Sequence, residues 1–84
     1  MAPVGRSVPL RMPKLSMATT EATLVEWLVA DGATVADGQA LYLVETEKVE
    51  TEVPGGVAGV IHCTGEPGVV YQVGAEVGTI DTAD

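Results

Sequence analysis

Phenylalanine is absent from the 84 residues, and the aromatic side chains are Trp27, Tyr42 and Tyr71 alone. A core built without it must rely on Val, Leu, Ile and Ala, a composition that favours strands over helices. Positive charge is nearly as scarce, with 4 Lys and Arg against 12 Asp and Glu and a formal net charge of −8. Three of the four basic residues, Arg6, Arg11 and Lys14, sit in the first fifth of the chain. There is no clustered cationic surface to neutralise phosphate, which excludes nucleic acid and anionic membrane as partners. Cys63 is the single cysteine, so an intramolecular disulfide is excluded, and neither it nor His62 has companions at metal-ligand spacing. No run approaches the ~18 consecutive apolar residues of a membrane span. The first nine residues also lack the apolar stretch of a secretory signal. The expectation is a soluble protein of a reducing intracellular compartment, most simply the cytoplasm, with one domain over residues 10–81 between a flexible tail at 1–9 and a short tail at 82–84.

What the chain does have is punctuation. Asp31-Gly32, Asp37-Gly38, Pro54-Gly55-Gly56, Pro67-Gly68 and Gly74 separate short runs rich in β-branched residues, the pattern of a small all-β sandwich or barrel. The runs predict strands at Val8 to Met12, Ala22 to Val29, Thr34 to Val35, Ala40 to Thr46, Val49 to Val53, Ala58 to Cys63, Val69 to Tyr71 and Glu76 to Ile80. No stretch sustains a helical period.

Sliding the chain by 36 positions brings Gly68 onto Gly32 and Gly74 onto Gly38. The same shift superposes Ala22 with Ala58, Leu24 with Val60, Val25 with Ile61, Leu41 with Val77, Val44 with Ile80, and Thr46 with Thr82. Two copies related in this way predict a pseudo-symmetric fold. Glu26 falls on His62 and Trp27 on Cys63. If Glu26 faces water, alternation turns Val25, Trp27 and Val29 inward and assigns Ile61 and Cys63 to the core, with His62 outside.

The stretch "LVETEKVETEV", Leu43 to Val53, is close to a palindrome around Lys48, the only lysine or arginine after Lys14. A two-residue turn at Lys48-Val49 pairs Glu47 with Glu50, Thr46 with Thr51, Glu45 with Glu52 and Val44 with Val53. Val44, Thr46, Thr51 and Val53 then share one face and the four glutamates the other. Like charges placed opposite each other on adjacent strands destabilise the pair, so this hairpin serves something other than folding. Lys48 at the tip is either a counter-ion for the glutamates or a reactive, accessible amine. One lysine cannot balance four carboxylates, and exposed ion pairs contribute only about 0–1 kcal/mol. The symmetry-related position is Asp84, so no equivalent lysine hairpin is expected in the second repeat.

Taken in order, "MPKLS" at Met12 to Ser16, "EATLVEWLVADGATVADGQAL" at Glu21 to Leu41 and "VETEKVETEVP" at Val44 to Pro54 resemble the lipoyl domains of the acyltransferase components of 2-oxo acid dehydrogenase complexes. The resemblance implies a flattened barrel or sandwich of two four-stranded antiparallel sheets with quasi-two-fold symmetry. It also implies lipoic acid in amide linkage on Lys48, with Glu47 and Val49 recognised at the hairpin tip. The implied partners are a lipoate-attaching enzyme, a thiamine-diphosphate-dependent decarboxylase, an acyltransferase catalytic domain and dihydrolipoamide dehydrogenase. The domain itself would be a carrier of acyl groups and reducing equivalents, not an enzyme. Glu47 stands where Asp is common in that family, Val49 where Ala is common, and "SMATTE" lacks a frequent proline. Related biotin carrier domains place their lysine between two methionines, which is not the case here. The alternatives are a biotin carrier, or an unmodified acidic β-sandwich that binds a partner through its glutamates.

Overall fold

The computed structural model describes residues 5–82, and of the expected tails, residues 1–4 and 83–84 lie outside it. Eight strands follow one another: β1 (Ser7–Arg11), β2 (Glu21–Trp27), β3 (Thr34–Val35), β4 (Ala40–Glu45), β5 (Glu50–Pro54), β6 (Gly59–Cys63), β7 (Val69–Gln72) and β8 (Glu76–Asp81). They form two four-stranded antiparallel sheets, in the orders β1-β8-β6-β3 and β5-β4-β2-β7. The sheets face each other without closing into a barrel, which is the flattened sandwich that the resemblance implies. Strand β1 begins inside the expected tail because Ser7, Val8 and Pro9 are paired with Asp81, Ile80 and Thr79.

The two sheet orders map onto each other strand for strand, β1 on β5, β8 on β4, β6 on β2 and β3 on β7. The turns carry the same symmetry. Gly32 and Gly68 both have φ near +86°, at 87° and 85°, while Gly38 and Gly74 have 87° and 91°. Each pair lies 36 positions apart at a turn that an L side chain would strain. Two β-bulges also correspond. Leu41 is the extra residue between Ala40↔Pro54 and Tyr42↔Val53, and Val77 is the extra residue between Leu10↔Gly78 and Arg11↔Glu76. At each bulge two consecutive residues turn inward, Leu41 with Tyr42 and Val77 with Gly78, and all four are buried.

A third bulge has no counterpart and corrects the expected alignment. Leu24 pairs with Val44 and Glu26 with Leu43, so Val25 is left over, whereas β6 pairs with β8 without interruption. Leu24, not Val25, is therefore the structural equivalent of Ile61, and the repeat spacing is 37 before the bulge and 36 after it. Leu24 and Ile61 are both wholly buried while Val25 is half-buried. Beyond the bulge the expected faces hold: Glu26 and His62 are exposed, and Trp27 and Cys63 pack against the core.

That core is aliphatic as the composition predicts, with Leu24, Leu41, Val44, Ile61, Val77 and Ile80 fully buried beside Met12 and Tyr42. Trp27 lies 5.0 Å from Tyr42 between ring centroids, and its indole N–H donates to the Gly65 carbonyl at 2.9 Å. The Tyr42 hydroxyl donates to the Arg11 carbonyl at 2.7 Å, and burial pushes its pKa up to about 12.

The ends of the molecule are set by these connections. Strand β1 finishes and β8 starts beside the turn after β7, where Met12 N–H donates to Ala75 and Gly74 N–H to Met12. That turn adjoins the start of β2, which lies alongside the end of β4. The β4–β5 connection therefore sits at one end of the sandwich, and the pairing of Ser7 with Asp81 at the other.

Candidate functional site

Strand β4 stops at Glu45 and β5 resumes at Glu50. Glu45 pairs with Glu50 and Val44 with Thr51, while Thr46 N–H donates to the Val49 carbonyl at 2.7 Å. The two turn residues are thus Glu47 and Lys48, one position earlier than the matched-chemistry pairing predicts. The register slips by two, so Glu52 faces Leu43 in place of Glu45. A slip of two keeps every side chain on its expected face: Val44 is buried, Thr46, Thr51 and Val53 are half-buried, and Glu45, Glu47, Glu50 and Glu52 are exposed.

The physical reason for this placement is the Thr46 side chain. No non-glycine residue has positive φ among the described residues, so the turn is not of the primed type that matches strand twist. In its place, Thr46 Oγ1 accepts the N–H of Val49 at 3.2 Å and lies 3.4 Å from the N–H of Lys48. A threonine at the first position of a turn can take these amides and stand in for backbone. Thr46 was not singled out for this role by the sequence, although its place before a two-residue turn was the signal.

Lys48 is exposed at the tip. Among the described residues the one salt bridge joins His62 to Asp81, at 2.8 Å on the outer face of the other sheet. Lys48 is therefore paired with none of its four glutamates, which argues against the counter-ion reading. Lys14, the other lysine, donates to the Thr19 carbonyl at 3.1 Å. It thereby braces a tight turn in which Ser16 and Thr19 are joined through both backbone and side chain. This turn lies against the hairpin: Ser16, Ala18, Thr19, Thr20 and Glu21 on one side and Thr46 to Val49 on the other enclose a groove. A second hollow on the outer sheet face gathers Glu21, Glu45 and Glu47 around Thr23 and Val70. Glu47 and Val49, the expected recognition residues, flank Lys48, Glu47 in the turn and Val49 bonded to Thr46 just before β5 begins.

Cys63 and His62, adjacent in sequence, point to opposite faces. The Cys63 N–H donates to Asp31 at 2.9 Å, and burial, with the Asp31 charge second, pushes its thiol pKa up.

Chemically, the tip offers one free primary amine on a short turn, held clear of the core by two paired strands, with carboxylates around it. Such an amine can be acylated without disturbing the core. The model of the biotin/lipoyl family, described as "Biotin-requiring enzyme", matches residues 8–81. The chain belongs to this family, as a lipoyl-type carrier domain and not a catalytic one. It is 36% identical over 84 residues to the dihydrolipoyllysine-residue acetyltransferase component of the pyruvate dehydrogenase complex of Corynebacterium glutamicum, covering 99% of this chain and 12% of that protein. To the lipoamide acyltransferase component of the branched-chain alpha-keto acid dehydrogenase complex of Bacillus subtilis it is 39% identical over 74 residues, 87% of this chain and 18% of the relative. The dihydrolipoyllysine-residue succinyltransferase component of the 2-oxoglutarate dehydrogenase complex of Cupriavidus necator is 35% identical over 80 residues, 90% of this chain and 19% of the relative. The chain thus spans less than a fifth of the length of these relatives.

Proposed function

We propose that Lys48 carries a lipoyl group in amide linkage, and that the domain presents this arm to the successive active sites of a 2-oxo acid dehydrogenase complex. The observation that carries the reading is the position of Lys48: an exposed, unpaired amine at the apex of a hairpin in a domain whose relatives are dihydrolipoyllysine acyltransferase components. An amide to lipoic acid needs a primary amine, and of the two lysine side chains that of Lys14 is tied to its own loop whereas that of Lys48 makes no hydrogen bond or ion pair among the described residues. When bound, the dithiolane supplies the acyl-accepting and redox chemistry. The chain's own residues supply placement. Paired strands fix the arm's root, and the tether raises the effective concentration of its far end at any site within reach.

The partners in this reading are a lipoate-attaching enzyme, a thiamine-diphosphate-dependent decarboxylase, the acyltransferase catalytic domain and dihydrolipoamide dehydrogenase, in a reducing intracellular compartment. Glu21, Glu45, Glu47 and Glu50 would steer a basic mouth on such partners.

The test is intact mass and peptide mapping after coexpression with a lipoate ligase, and separately with a biotin ligase. One lipoyl increment on Lys48, absent in Lys48→Arg, is expected. A biotinyl increment, or none with either enzyme, would refute the lipoyl assignment.

A further inference from the structure

We propose that Thr46 is the positioning residue of this attachment site, its hydroxyl fixing the direction in which Lys48 leaves the hairpin. The proposal rests on the assignment of attachment to Lys48.

A two-residue hairpin normally closes through two backbone bonds between the residues flanking the turn. Here one of them is made, from Thr46 N–H to the Val49 carbonyl at 2.7 Å. The Val49 N–H is instead given to Thr46 Oγ1 at 3.2 Å, and the N–H of Lys48 is aimed at the same oxygen at 3.4 Å. The side chain therefore contacts the backbone of the attachment residue itself. As a β-branched residue Thr46 is stiff at χ1, and it is half-buried, so the oxygen that receives these amides has little freedom of its own. The Glu47–Lys48 peptide lacks the glycine or asparagine that would prefer one turn geometry. Removing the hydroxyl leaves it free to rotate about the tip.

The fold contains its own control. Thr82, the symmetry mate of Thr46, accepts the N–H of Arg6 through Oγ1 at 3.0 Å and donates its own N–H to the Arg6 carbonyl at 2.8 Å. The same pair of bonds thus joins two strand ends at the far end of the sandwich, where no turn connects them. What Thr82 lacks is a lysine between its partners. The two threonines are matched as structural latches and differ in that one holds the amide of an attachment residue.

The experiment compares Thr46→Val, Thr46→Ser and Thr82→Val in the 84-residue chain, reading the initial rate of modification by lipoate ligase, the thermal midpoint, and hydrogen exchange of the Val49 amide. Misplacement of a reacting group by about 1 Å can cost on the order of 100-fold in rate, so a partial displacement is read as about tenfold. Thr46→Val should lose at least about that factor and exchange Val49 faster. Thr46→Ser should stay close to the parent, and Thr82→Val should keep the parent's modification rate even where its midpoint falls. Modification of Thr46→Val at the parent's rate would overturn the proposal. So would an equal slowing in Thr82→Val, which would make both threonines merely stabilising. Mapping of the parent separates this from failure of the attachment reading: a lipoyl group found on Lys14 would remove both.

Discussion

Glu45 and Glu50 stand directly opposite each other as the last strand pair before the turn, with no cation bridging them. Exposed like charges in this position cost the sheet a few tenths of a kcal/mol, and the Coulomb part weakens within the Debye length as salt is raised. Glu50→Gln should therefore raise the urea midpoint at low ionic strength, with the gain shrinking towards 1 M salt. With one steering carboxylate removed, the same variant should be modified by the ligase more slowly at low salt. A Glu50→Gln domain that was less stable than the parent would show that the pairing is not repulsive.

Tyr42 predicts an alkaline limit to stability. Its pKa is about 12 in the fold against about 10 for an exposed tyrosine, because burial penalises the phenolate. Between these values the unfolded chain has lost a proton that the folded chain keeps, so stability is fully present below pH 10 and falls as pH rises towards 12. Tyr42→Phe removes this slope. It also removes the bond to the Arg11 carbonyl, a loss of about 1 kcal/mol at neutral pH. Urea midpoints of parent and variant measured at pH 8 and at pH 11 should converge. A gap that widened with pH would contradict the burial of the hydroxyl.

Trp27 fills the space between Tyr42, Gly65 and Gly78, its indole reaching a position where a side chain on Gly78 would meet it. Truncation to Ala should cost about 3 kcal/mol, a large part of the stability of a small domain. Trp27→Phe should recover much of the packing while leaving the Gly65 carbonyl without its donor. Thermal unfolding of the two variants checks this, with a midpoint unchanged in Trp27→Ala as the adverse result.

How far the sequence could be read depended on whether a feature was local. Four turns place a glycine at φ near +90°, and the spacing of these glycines by 36 announced both those turns and the symmetry. All eight strands start within one residue of where the β-branched runs predict them. Val25 was misread because a bulge depends on what the partner strand does: alternation alone puts Val25 inward, and only the pairing of both Leu24 and Glu26 with consecutive residues of β4 reveals it as the extra residue. The hairpin turn was misplaced for a related reason. A near-palindrome admits two registers differing by two positions, both with Val44 and Thr51 inward, so hydrophobic pattern cannot choose between them. The choice falls to one hydroxyl, that of Thr46, which a count of matched pairs does not weigh. Lys48 was legible despite this, because either register leaves it in the turn.

The observed register sharpens a test of position. Exchanging the residues at 48 and 49, as Lys48→Val with Val49→Lys, keeps composition, charge and hairpin length. Position 49 is not a turn residue: it pairs with Thr46, and Val49 is 44% exposed on the side that lines the groove against Thr19 and Thr20. Moving the lysine there shifts its root by about 3.8 Å along the chain and turns it from the apex towards the inner face. Stability should change by no more than about 0.5 kcal/mol, as for surface substitutions generally. A ligase that must receive the amine at one point in its active site would then find it displaced by several times the distance that reaction rates tolerate. The expected result is a folded domain, shown by an unchanged thermal midpoint, that lipoate ligase modifies poorly. Lipoylation of the exchanged domain at the parent's rate would mean that the enzyme takes any accessible lysine at this end of the sandwich, and that the geometry of the Glu47–Lys48 turn carries no information for it.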